Sequence, residues 1–367
     1  MKFTISQEAF ADGLQNAVSA VNSRSTLPIL SNVLLQASGD TLTLTSTDLD
    51  FTVRTSVPSK TTKQGATTLP ARRLSTLVKD LPKTDIEVEV DAKSVATLHS
   101  GAGVYKIFGL PEAEFPGLPA FEGAVEFKLK SADLKDALRK THYAISLDET
   151  RYVLNGIFFS FKGDKLTLVA TDGRRLALAE INDLEIPKSQ ERDFIVRTKA
   201  TQELMRALND EGDVIIRLAQ NLVQFDCGPT TLISKLVEGN YPNYLQVIPT
   251  KVNERVTVER EALLNAVRRV SLLNNEKTAS VRLGFTKGNI DITCNTPEVG
   301  EAREAIAVSY KGKDISIAFN PEFLLAPLRY LQEDEVHFEL IDDISPGVIK
   351  INAPFVYVLM PMRVGGA

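Results

Sequence analysis

Three stretches of this chain repeat one another: FTISQEAFADGLQNA from Phe3, FKLKSADLKDALRKT from Phe127 and VTVEREALLNAVRRV from Val256. Each opens with apolar residues two apart, the period of a short strand. Each then places apolar residues at the same offsets: Phe10, Leu134 and Leu263, followed by Leu14, Leu138 and Val267. That i, i+4 spacing is a helix face. Ser6 and Ser131 stand where N-caps are expected. A second pattern follows each first one. NVLLQASGDTLTLTSTD from Asn32 matches GIFFSFKGDKLTLVATD from Gly156, with a weaker copy, SVRLGFTKGNIDITCNT, from Ser280. These read as two alternating strands about a glycine turn. A third pattern closes each unit: TLPARRLSTLVKDL, FIVRTKATQELMRAL and ISIAFNPEFLLAPLRYL, each a strand running into a helix and followed by further strands.

The chain is therefore one α+β unit written three times at a spacing of roughly 125 residues. Each unit predicts two helices and about eight short strands in antiparallel sheets. The links at 118–127 and 247–256 divide it into 1–122, 123–252 and 253–367. Three repeats are few for an open solenoid. Whole-domain repeats can instead close by head-to-tail oligomerisation into a ring.

Chemistry is sparse. The two cysteines, Cys227 and Cys294, form no CxxC, so a reducing cytoplasm is the default setting. No apolar run approaches membrane-spanning length, and MKFTISQEAF lacks the apolar core of a signal peptide. His99, His142 and His337 lie in different repeats without metal or triad companions, and read as structural. No Walker A, GxGxxG, HExxH or GxSxG occurs, so no catalytic residue, metal or cofactor is expected. The acids of TDLD (47–50) and TDG (171–173) recur by repeat, which marks turn formers.

The basic residues say more. Net charge is -5, against holding nucleic acid by bulk attraction. Yet Lys128, Lys130, Lys135, Arg139 and Lys140 are assigned to the first helix of repeat two. Arg72, Arg73 and Lys79 fall on the second helix of repeat one, with Arg197, Lys199 and Arg206 at the equivalent place in repeat two. Arg260, Arg268 and Arg269 fall on the first helix of repeat three. For any single helix this is as well read as a solvated face. Across equivalent helices it points to a surface that meets phosphates without reading bases.

TLPILSNVLL, GATTLPARRL, RYVLNGIFF, VATDGRRLA, SKLVEGNYPNY, LLNNEK and YVLMPMR together resemble the bacterial DNA polymerase III beta subunit family, the sliding clamps, over essentially the whole chain. The resemblance implies a head-to-tail homodimer whose six domains ring duplex DNA. Helices would line the hole, and the ring would slide and tether the replicative polymerase, the clamp loader and other replication and repair proteins. It also implies specific residues. Leu272 and Leu273 would pack against Tyr105 and Ile107 of the next copy, with ion pairs from Arg73 to Glu298, Glu301 or Glu304. Arg24 and Tyr152 would touch DNA at the rim, and Arg72, Lys135, Arg139, Arg197 and Lys199 along the inner helices. Asp148 would weaken the contribution of the loop before Tyr152.

A peptide pocket is implied between the second and third domains. One subsite comprises Leu154, Thr171, Gly173, Arg174, Arg175, Leu176, Pro242, Gln246, Val247, Val358 and Met360. The other comprises Arg151, Tyr152, Asn320, Phe323, Ile344, Pro346, Pro361, Met362 and Arg363. Its ligands would be short segments with a glutamine and a Leu-Phe-like end. Flexible methionines suit varied side chains, and Pro361 would end strand pairing. Gln246 stands where some relatives carry arginine, and Pro346 where a small polar residue is common. Two other readings stay open: a hub that binds peptides without encircling DNA, and an enzyme acting on nucleic acid or sugar phosphates.

Overall fold

The computed structural model describes residues 1–21, 27–275, 280–297 and 299–362. Among them are six α-helices: α1 (Gln7–Val18), α2 (Ala71–Asp80), α3 (Ser131–Thr141), α4 (Thr198–Ala207), α5 (Arg260–Val270) and α6 (Pro321–Tyr330). Two thus fall in each sequence repeat. None is long and apolar enough to cross a membrane.

The chain gathers into two compact units, Met1–Lys135 with Lys199–Leu236, and Asp136–Thr198 with Val237–Ala367. The middle repeat is shared between them. In the first unit, strand Phe51–Pro58 of repeat one pairs antiparallel with Thr230–Val237 of repeat two. In the second, Arg175–Ile181 of repeat two pairs antiparallel with Ala353–Leu359 of repeat three. Each unit is therefore sewn by a strand pair between neighbouring repeats, the same device used twice.

The hairpins form where alternation predicts, including the weak third copy, Val281–Thr286 with Asn289–Thr296. The first two turn on Gly39 and Gly163, at φ 56 and 63, a left-handed conformation that a Cβ would penalise. In the first unit α1 buries Phe10, Leu14 and Ala17, and α2 buries Ala71, Leu74 and Val78, into one core. Ser6 caps α1, its hydroxyl accepting from the Ala9 N–H. Buried Gln7 donates through Nε2 to the Val78 carbonyl at 2.9 Å, satisfying a terminal carbonyl of α2. The second unit is aromatic inside: Phe159 stacks on Phe194 at 5.4 Å, and Phe338 packs on Phe285 and Phe319 at 5.5 and 5.9 Å.

Several expectations are corrected. Ser131 is not an N-cap: it is the first residue of α3, and its hydroxyl donates to the Asn209 carbonyl at 2.7 Å. Lys128 and Lys130 are not on a helix. They lie in strand Val125–Lys130, two apart on one face, and both reach Asp213 across the sheet, at 2.8 and 2.9 Å. Arg197 ends strand Arg192–Arg197, one residue before α4. Runs of charge at a strand-to-helix junction carry no periodicity that fixes the boundary.

A Cβ on Gly156 would lie 2.3 Å from the Val196 carbonyl oxygen on the paired strand. Gly156→Ala should therefore cost about 1–3 kcal/mol in chemical denaturation, since paired backbone cannot step aside. A change below about 0.5 kcal/mol, the range of an indifferent surface substitution, would contradict this packing.

Candidate functional site

Leu176 and Val358 sit directly opposite one another on the strand pair that joins repeats two and three. Beneath them Val169, Leu178 and the rings of Phe158, Tyr241 and Tyr244 form one apolar cluster, with Phe158 stacked on Tyr241 at 4.9 Å. A cavity opens at the end of this pair. Thr171, Gly173, Arg174, Arg175, Leu176, Val247, Val358 and Met360 line it.

The rim is a turn built by Asp172. Its Oδ1 accepts from the backbone N–H groups of Arg174 and Arg175, at 2.9 and 3.0 Å. Its Oδ2 accepts from Arg175 Nε at 3.1 Å. Thr171 Oγ1 accepts from Gly173 N–H and donates to the Arg175 carbonyl. Gly173 is left-handed at φ 84, and a Cβ there would lie 2.9 Å from Arg151 Nη1. Arg151 in turn donates to the Asp172 carbonyl at 3.2 Å. Arg175 lies over the Phe323 ring, 4.4 Å from its centroid. The TDLD segment builds the matching turn: Asp48 Oδ1 accepts from Asp50 and Phe51 N–H groups, with Leu49 left-handed at φ 77. Both acids are turn formers, as their recurrence implied.

The tail is tightly held up to Leu359. Tyr357, Val358 and Leu359 are all buried, because Ala353–Leu359 lies between two other strands with both faces covered. Val358 lines the cavity from within the sheet rather than from an open face. Tyr357 Oη donates to the Phe323 carbonyl at 2.7 Å. Met360 N–H still reaches the Arg174 carbonyl at 3.0 Å. After Pro361, which has no N–H to offer, Met362 N–H turns to the Ala318 carbonyl at 2.7 Å. The proline redirects the chain instead of releasing it, and Met360 and Met362 stay exposed.

The remaining described residues of the two implied subsites do not line the cavity. Leu154 is buried, Pro242 and Gln246 are exposed, and none of the three lines the cavity. Ile344 is 79% exposed and Pro346 half-buried. The Asn320 side chain caps α6, accepting from Glu322 and Phe323 N–H groups. Arg363 lies outside the described residues, as do Arg24 and Glu298.

The cations expected along the inner helices are largely engaged. Lys135 pairs with Asp210 at 2.7 Å, and Lys199 with Asp48 at 2.6 Å. Arg139 pairs with Asp136. Arg72 and Arg197 are exposed and make no ion pair among the described residues. Tyr152 is exposed beside a loop whose acid, Asp148, is held by Thr150, with O–H and N–H both donating to Oδ1. Those hydrogen bonds hold the Asp148 carboxyl below its ordinary range.

At the implied interface, Leu272 is 75% exposed and Leu273 half-buried. Strand Gly103–Phe108 is the edge of its sheet, and so is strand Gly300–Ala307 of its own. Ile107 is 7% exposed and belongs to the first unit's core. The exposed apolar residues of that edge are Tyr105, Val104 and Phe108, the last two not among the contacts that the resemblance implied. Glu304 is bound bidentately by Arg269 at 2.8 and 2.6 Å, and Arg303 by Asp291. Glu301 is exposed, accepting from Asn295, and Arg73 is exposed with no ion pair among the described residues.

Comparison with known proteins covers nearly the whole chain. Family models described as the N-terminal, central and C-terminal domains of the DNA polymerase III beta subunit match residues 1–119, 128–243 and 245–363. The chain is 34% identical over 363 residues to the beta sliding clamp of Chlamydia muridarum, covering 99% of each. It is 36% identical over 370 residues to that of Proteus mirabilis, covering 99% of this chain and 100% of the other. Among solved structures, a sliding clamp of Pseudomonas aeruginosa bound to griselimycin superposes with a TM-score of 0.94 at 35% identity, over 99% of this chain and 100% of the other. The sliding clamp of Bacillus subtilis does so at 0.93 and 30%, over 99% of each.

Asp172→Ala removes three acceptor contacts at once and leaves Arg175 without its carboxylate. We expect a loss of about 1–3 kcal/mol in urea denaturation, the cost of stripping partners from such groups. Unchanged stability would mean the turn holds itself.

Proposed function

The chain belongs to the DNA polymerase III beta subunit family, the bacterial sliding clamps, and from that premise we propose which of its residues do the work. It is a processivity factor, not an enzyme. Two copies pair head to tail, and the ring encircles duplex DNA without reading sequence. It slides and tethers the polymerase and other clamp-binding proteins. Tethering turns repeated encounters into a high local concentration, so affinity for DNA is not required. That resolves the acidic net charge of a protein that serves DNA. We place it in the cytoplasm and divide it into domains 1–122, 123–252 and 253–367, a division that the three family matches support.

The observation that carries the residue assignment is the cavity where repeats two and three join, with its apolar floor of Leu176, Val247, Val358 and Met360 and its arginine rim. A short partner segment places an apolar side chain there, while Met360 and Met362 adapt to its shape. Phosphate contact falls to Arg72, Arg197, Tyr152 and Arg24, with the paired Lys135, Arg139 and Lys199 contributing less. A wall of half-neutralised cations suits sliding, since each released counterion would otherwise add to sticking. Ring closure falls to Leu272 and Leu273 against the edge strand of the next copy, where Tyr105, Val104 and Phe108 are open to contact. Arg73 and Glu301 have side chains available for an ion pair across that seam, whereas Glu304 is already held by Arg269.

Replacing Leu272 and Leu273 together with alanine should weaken dimerisation by roughly tenfold or more, the usual scale for central apolar anchors. Sedimentation at low concentration reads this out. The same variant, once loaded, should escape from nicked circular DNA faster than wild type does. A dimer of unchanged stability would overturn the placement of the seam.

A further inference from the structure

Leu272 and Leu273, the apolar anchors of the proposed seam, sit on a segment too short to hold itself. They belong to a single 3₁₀ turn, Ser271–Leu273, that follows α5. One such turn has little stability of its own. It is tied at both ends to one hairpin, strand Asn289–Thr296 paired with strand Gly300–Ala307. Before the turn, Arg269 on α5 grips Glu304 bidentately. After it, Asn274 closes the turn, its N–H donating to the Ser271 carbonyl at 3.1 Å. The Asn274 side chain then reaches strand Asn289–Thr296, where its Oδ1 accepts from the Cys294 thiol at 3.0 Å. Cys294 and Thr296 are buried. The thiol has one proton, spent on Asn274, so the Thr296 hydroxyl, 3.5 Å from the sulfur, is the donor in their contact. Asn274 Nδ2 is buried with no hydrogen-bond partner among the described residues. The Cys294 contact is therefore what orients this side chain. Between the two ties, Leu273 lies against Gly300 of the edge strand, its Cδ1 3.6 Å from where a Cβ on that glycine would stand. Leu272 is left 75% exposed.

We infer that Asn274 is a positioning residue for ring closure: clasped by the buried Cys294–Thr296 pair, it holds the turn in the shape that presents Leu272 and Leu273 to a second copy of this chain. The inference rests on the reading of those two leucines as the seam. A segment ordered only when two copies meet subtracts its lost freedom from the association free energy. One ordered beforehand does not. A thiol is a weak donor, but this one is shut away from water, and losing it strands the amide with neither end satisfied. Asn274 thus acts on association through the leucines beside it.

Sedimentation of the full-length chain over a dilution series measures dimer dissociation for wild type, Asn274→Ala, Cys294→Ala and Cys294→Ser. Asn274→Ala is also measured in a chain that carries Leu272→Ala and Leu273→Ala. Loss of one buried hydrogen bond is worth about fivefold at each seam. A ring of two copies breaks two seams on dissociating, so Asn274→Ala and Cys294→Ala should each weaken the dimer by about 25-fold. Cys294→Ser, which keeps a donor, should stay within about fivefold of wild type. In the chain without the two leucines, Asn274→Ala should change dissociation by less than about twofold, because the residues through which it acts are gone. A merely structural role would weaken both backgrounds alike. Asn274 is half-buried, so its replacement decides the matter even where Cys294→Ala fails to fold. An Asn274→Ala dimer within about twofold of wild type, or equal weakening in both backgrounds, overturns the inference and leaves the seam in place. A dimer that survives replacement of both leucines overturns the seam and this inference with it.

Discussion

The antiparallel pairing of Arg175–Ala179 with Phe355–Leu359 is the interaction on which the functional surface depends. It joins two sequence repeats through backbone hydrogen bonds. It also sets Leu176 opposite Val358 and delivers Met360 to the rim. The strand cannot peel away cheaply. Tyr357 and Leu359 are fully buried, and exposing each such side chain costs about 1.5–3 kcal/mol. What looks in sequence like an apolar tail is thus a central strand, with Val358 lining the cavity from within it and Met360 and Met362 exposed beyond it. The equivalent pairing of Phe51–Pro58 with Thr230–Val237 serves the first unit in the same way.

Charge is arranged with similar economy. Acids of the turns and of the helices themselves hold many of the helix cations: Asp48 holds Lys199, Asp136 holds Arg139 and Asp210 holds Lys135. An acidic chain can therefore present a surface that neither repels a polyanion nor grips it. Arg72 and Arg197 are exposed and make no ion pair among the described residues. At the pocket the same logic runs the other way, with Asp172 locking Arg175 into the rim so that geometry precedes binding.

Much of this was legible in the sequence. The repeats, the three hairpins and the buried faces of α1 and α5 follow from periodicity, because a helix or a half-buried strand must place apolar residues at fixed intervals. Ser6 as a cap and the two TD turns follow from local side-chain chemistry. Other features were not legible, for identifiable reasons. In GVYKIF both faces carry large apolar residues, so alternation cannot say that Ile107 points inward and Phe108 outward. Val358 is buried because it packs into an apolar cluster of residues from a different repeat, which no local pattern records. Glu304 is engaged by Arg269, far away in sequence, and so could not be told from Glu301. Asp172 was readable as a turn former but not as the residue that fixes Arg175.

The central claim is that the pocket is an addition at the end of a structural strand, separable from the fold and from the ring. Truncating the chain after Leu359 tests it most directly. Binding of a Gln-to-Leu-Phe peptide and of the polymerase should fall by more than about tenfold, as loss of an adaptable anchor predicts, while the dimer sediments unchanged. Peptide and polymerase binding at wild-type strength, or loss of the dimer on the same truncation, would contradict the account.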